Sequence, residues 1–78
     1  MKNRVAVTIA GQEYTLVGTE DAGYTEKVAA HVDEKVREIM ESARVSMVDG
    51  AVLAAVNIAD EYFKEQEAAE NLRRQLKE

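Results

Sequence analysis

The chain has 78 residues, 15 acidic against 10 basic side chains, a formal net charge of -5, and neither cysteine nor proline. That balance opposes nucleic-acid binding, which needs a basic face to displace counterions, and it opposes docking on anionic lipid. With 5% aromatic residues there is no stacking platform for bases, and without cysteine a core this small has oligomerisation as its remaining means of support.

The N-terminal Met1-Lys2-Asn3-Arg4 runs into alternating residues rather than an apolar signal core. No apolar run is long enough to span a bilayer. The expectation is a cytoplasmic protein of one domain and at most an extension.

Val5, Val7 and Ile9 alternate with Ala6, Thr8 and Ala10, the period of a half-buried strand. The alternation resumes after Gly11 with Tyr14 and Leu16. A two-residue Gly11-Gln12 loop with glycine first, as in a type II′ turn, predicts a hairpin from Arg4 to Val17. It would set Ile9 opposite Tyr14 and Val7 opposite Leu16, with every large apolar side chain on one face. A lone hairpin is marginal in water, so that face needs a helix or another chain over it.

Thr19 is placed to cap the first helix, with Glu20 and Asp21 in its first turn, although Gly23 allows a start nearer Tyr24. Val28, Val32, Val36, Ile39, Met40 and Ala43 then fall on one 3.6-period stripe. The opposite face is charged, with Asp33 and Arg37 spaced as an i,i+4 pair. Ser46-Met47-Val48-Asp49 resembles a capping box and places a turn around Arg44 to Ser46. One continuous helix from Tyr24 onward is the alternative, since no glycine or proline forces a break.

From Ser46 to Glu78 the composition is that of a helix about 30 residues and roughly 45 Å long. Val48, Ala55, Tyr62, Ala69 and Leu76 recur every seven residues, and Ala51, Ile58 and Leu72 form the second seam, interrupted by Glu65. Before Asp60 the helix is apolar nearly all round and should be buried from several sides. After Asp60 only the narrow stripe remains, as in a coiled coil. The fold expected is α+β: a head over 1–59, made of hairpin, first helix and the start of the second, with a coiled-coil extension over 60–78. The alternative folds this helix back on a monomeric core. Asn57 and Glu65 each read either as an edge residue or as a device fixing oligomer register.

Catalytic chemistry is unsupported. His31 is the only histidine, there is no thiol, and Gly11 and Gly18 do not have the spacing of a phosphate loop. No cofactor or metal is implied, and the protein is not expected to be an enzyme.

Three segments together resemble the ZapA family. They are Val5-x-Val7-x-Ile9-x-Gly11-x-x-Tyr14-x-Leu16, then Lys27-Val28-Ala29-x-x-Val32-Asp33-x-Lys35-Val36, and finally Val52-Leu53-Ala54-Ala55-Val56-Asn57-Ile58-Ala59-Asp60-Glu61. The resemblance covers nearly the whole chain and is most specific in the last segment. It implies a bacterial cell-division protein, placed at mid-cell, whose heads pair in a dimer and whose dimers join through the coiled coil into an antiparallel tetramer. The heads would bind and cross-link filaments of FtsZ, an acidic partner. Against longer relatives the chain stops early, which implies a short coiled coil. Its hairpin turn, Gly11-Gln12-Glu13, lacks a basic contact. The candidates for partner contact are therefore Lys35, Arg37, Arg44 and Asp49, with Arg44 foremost at the inter-helix turn. The alternative function is a dimerisation or scaffolding module for another cytoplasmic protein.

Overall fold

A computed structural model describes residues 2–77. Glu78, the expected end of the second helix, lies outside the described residues. The order is β1 (Asn3–Ile9), β2 (Gln12–Gly18), α1 (Ala22–Ala43) and α2 (Met47–Lys77). The fold is α+β, with a two-stranded antiparallel hairpin followed by two helices.

The turn sits one residue earlier than the sequence suggests. Ile9 pairs with Gln12, Val7 with Tyr14 and Val5 with Leu16. The two loop residues are Ala10 and Gly11, both at positive φ, 52° and 81°. Positive φ at both centres gives the twist that suits a right-handed hairpin. Ala10 has a left-handed backbone, which costs an alanine about 1–2 kcal/mol. A contact from outside the hairpin offsets that cost: the Ala10 N–H donates to Asp33 Oδ1 at 2.8 Å. The pairing is shifted by two positions from the expected one, so the same side chains still share a face.

Asp21, rather than Thr19, caps α1. Its carboxylate accepts from the Gly23 N–H at 3.1 Å, and Thr19 and Glu20 lie in the preceding bend. Asn3 holds that bend to the start of β1 by donating to the Glu20 carbonyl. The helix ends where the sequence places the break. Arg44 takes the left-handed C-cap conformation (φ 54°, ψ 48°), and the Ser46 Oγ accepts from the Asp49 N–H at 3.2 Å. A continuous helix from Tyr24 is thereby excluded.

α1 lies between the hairpin and α2. Val5, Val7 and Ala29 form the buried cluster where β1 meets α1, with Ile9 packed on it. On the other side, Gly50 and Ala54 of α2 are buried against α1. A β-carbon on Gly50 would stand 2.7 Å from Met40 Cγ, so the two helices cross at a separation that only glycine allows here. Val36 is buried in the same contact. The Cα atoms span 49 × 39 × 13 Å. Thirteen ångströms is the thickness of one layer of elements, whereas stable domains stack two.

A candidate interaction surface

One broad side of this flat protomer is apolar. Its concavity, of about 820 Å³, is walled by Ile9 and Tyr14 of the hairpin on one side and by α2 on the other, with Val32 and Val36 of α1 at its base. α1 packs over β1, which leaves Tyr14 and Leu16 of β2 42% and 37% exposed even though they point to the covered face. The start of α2, expected to be buried from several sides, is covered only where it meets α1. Val48, Val52 and Val56 are each more than half exposed.

The heptad residues fall in two groups. Val48, Ala51, Ala55, Ile58 and Tyr62 line the concavity, and of these only Ile58 is half-buried. Ala69, Leu72 and Leu76 continue the spacing on the distal part of α2, all exposed. α2 passes through residues 59 and 60 without a break. Asn57 and Glu65 are exposed. Val52, Val56 and Phe63 lie off both seams and belong to no expected site. Their spacing of four and then seven places them on one side of a helix, and that second stripe was the available signal.

Polar groups fix how α2 leaves α1. Glu61 takes His31 Nε2 at 3.0 Å on one oxygen and Lys35 Nζ at 2.8 Å on the other. The lysine, and secondarily the histidine, hold the Glu61 carboxyl below the usual carboxylate range, and Glu61 in turn raises Lys35. His31 is thus a surface link between helices. Asp33 is lowered by the Ala10 N–H first and by Arg37 second, and Arg37 Nε lies 3.0 Å from its Oδ2.

The four partner-contact candidates therefore differ. Lys35 and Arg37 are engaged with neighbouring carboxylates. Arg44 is exposed at the corner between α1 and α2 and forms no ion pair among the described residues. Asp49 is exposed in the first turn of α2, five residues away.

The surface area shows what the apolar side lacks. A compact monomer of 8.7 kDa exposes about 4,700 Å². This protomer exposes 6420 Å². Its radius of gyration is 15.9 Å, against about 11.5 Å for a compact chain of this length. The surplus of about 1,700 Å² exceeds the roughly 800 Å² that each partner contributes to a standard stable interface. No helix among the described residues is long and apolar enough to cross a membrane.

Comparison with known proteins gives a consistent result. A family model described as cell division protein ZapA matches residues 5–78. Cell division protein ZapA of Geobacillus kaustophilus is 48% identical over 77 residues, covering 97% of this chain and 85% of that protein. The Bacillus subtilis protein of the same description is 45% identical, covering 99% and 92%. A solved structure, a ZapA mutant dimer from Geobacillus stearothermophilus, matches with a TM-score of 0.75 at 46% identity, over all of this chain and 92% of that one.

Proposed function

The chain belongs to the ZapA family of cell-division proteins, and from that premise we propose a non-enzymatic accessory of the division ring, acting in the cytoplasm at mid-cell. It self-associates, binds FtsZ through its head and cross-links FtsZ protofilaments. One observation carries the reading: a protomer one layer thick, with an uncovered apolar side and about 1,700 Å² of surplus surface. Such a chain gains its second layer from a copy of itself.

In this reading residues 1–59 act as the head and 60–78 as the coiled-coil extension. Val48, Ala51, Ala55, Ile58, Tyr62, Ala69, Leu72 and Leu76 are buried on assembly, first as a dimer and then as a dimer of dimers. Arg44 leads the contact with FtsZ, with Asp49 beside it and Lys35 and Arg37 further along α1. Its guanidinium stands at a corner of the head in no ion pair among the described residues, and a chain of net charge -5 must meet an acidic partner through such local positive groups. A single contact of this kind is weak. Two or more heads on one particle raise its effective concentration along neighbouring filaments.

Co-sedimentation with assembled FtsZ tests the proposal. The expected result is enrichment of both proteins in the pellet, with bundled filaments. An oligomer that leaves FtsZ in the supernatant would favour a scaffolding module with a different partner.

A further inference from the structure

We propose that His31 makes the exit of α2 from the head sensitive to pH. Its protonated imidazole draws α2 onto α1 through Glu61, the neutral ring slackens that tie, and the direction of the distal helix follows. The tie lies within one protomer, so the inference stands apart from the self-association reading.

The geometry of one carboxylate carries it. His31 and Lys35 stand one turn apart on the same face of α1. Both reach Glu61 of α2, His31 Nε2 at 3.0 Å on one oxygen and Lys35 Nζ at 2.8 Å on the other. Glu61 is therefore shared by a lysine that stays charged and by an imidazole, the side chain whose charge changes around neutral pH. The position of the tie gives it leverage. Glu61 is half-buried, and from Tyr62 to Lys77 every residue of α2 is exposed. About 24 Å of helix lies beyond Glu61, so a rotation of about 10° there displaces its end by about 4 Å.

The surroundings leave His31 as the responsive group. α1 brings Tyr24, Lys27 and Glu34 near it besides Lys35, and α2 brings Lys64 and Glu65 besides Glu61. Lys64 is turned to Asp60 at 2.9 Å. The hairpin packs on the other side of α1, through Ala29, about 160° around the helix from His31. Carboxylates, ammonium groups and phenols keep one charge state between about pH 6 and 8, and imidazole does not. The side chains of His31 and Glu61 are 51% and 42% exposed, so water screens the pair. An exposed ion pair shifts the ratio of two states about 1.4- to 5-fold. That redirects a lever of this length without unfolding the head.

The sequence has no cysteine, so two spin labels can be placed cleanly, at Thr15→Cys on the outer face of the hairpin and at Arg74→Cys off the heptad seam. The doubly labelled full chain is diluted into excess unlabelled chain, so that pulsed dipolar spectroscopy reads distances within one protomer. At pH 6 the distribution should be narrow. At pH 8 it should broaden, with the ratio of tied to untied conformers falling about 1.4- to 5-fold. His31→Gln should give one distribution at both pH values, and Glu61→Gln a broad one at both. Lys35→Met should enlarge the pH response, since His31 is then the only cation on Glu61. Circular dichroism at both pH values confirms that each variant is folded. Coincident wild-type distributions at pH 6 and 8 overturn the proposal, as does a pH response that survives His31→Gln.

Discussion

Leu72→Ala tests the distal seam without disturbing the head. Leu72 is 58% exposed in the protomer, so more than half of its apolar surface is available only to another copy. Full burial of a leucine side chain is worth about 1.5–3 kcal/mol. The part still exposed is then worth about 1–1.7 kcal/mol per chain, or about 2–3.5 kcal/mol for a pair of chains. At 1.4 kcal/mol per tenfold, association should weaken about 30- to 300-fold. Alanine is the better helix former, so α2 should not lose helicity at concentrations where assembly persists. Sedimentation velocity or light scattering over a dilution series reads the midpoint directly. Thermal unfolding should become more concentration-dependent as well, since assembly stabilises by mass action. An unchanged midpoint would refute the argument, because it would mean that Leu72 stays in water in the assembled protein.

Further outcomes follow from the joints of the head. Ala10→Gly should stabilise by about 0.5–1 kcal/mol, since relief of the left-handed alanine exceeds the added chain entropy; a loss in denaturant midpoint would contradict the assigned turn. Gly50→Ala should destabilise by about 1 kcal/mol despite its better helix propensity, because its β-carbon meets Met40 in the middle of that side chain rather than at its tip. Asp33 and Glu61 both have lowered folded-state values. Their contribution is present above the unfolded carboxylate range near pH 4 and is lost as pH falls through the lower folded values. Asp33→Asn should therefore flatten the acid limb of the stability curve, and an unaltered limb would remove Asp33 from the account. Arg44→Glu should reduce co-sedimentation with FtsZ at unchanged oligomeric state; equal pelleting would move the contact elsewhere on the head.

Joining these joints to the assembly explains why so small a chain tolerates an exposed apolar side. Asp33 fixes the turn of the hairpin on α1, and Glu61 fixes the direction in which α2 departs. The shape of the groove is therefore set within each protomer before a partner arrives. Pre-ordering of this kind reduces the cost of association, because little remains to be immobilised.

Much of the design is carried by patterns with a short physical range. The period of two in Val5, Val7 and Ile9 determines which face of the hairpin is apolar, and Ser46 with Asp49 determines where α2 begins. The seven-residue recurrence from Val48 to Leu76 marks a stripe that one chain cannot cover. Each follows from backbone geometry and from nearest neighbours along the chain. Tertiary contact decided the rest. The pairing of the strands depends on a carboxylate 23 residues away reaching the Ala10 amide. The approach of α1 to α2 depends on Gly50 meeting Met40, and the exposure of Tyr14 and Leu16 depends on α1 settling over β1 rather than over the whole hairpin. Alternation constrains a strand modulo two and periodicity constrains a helix modulo its turn. Which surface stays bare is fixed only when the elements pack, because burial belongs to pairs of elements and not to any one of them.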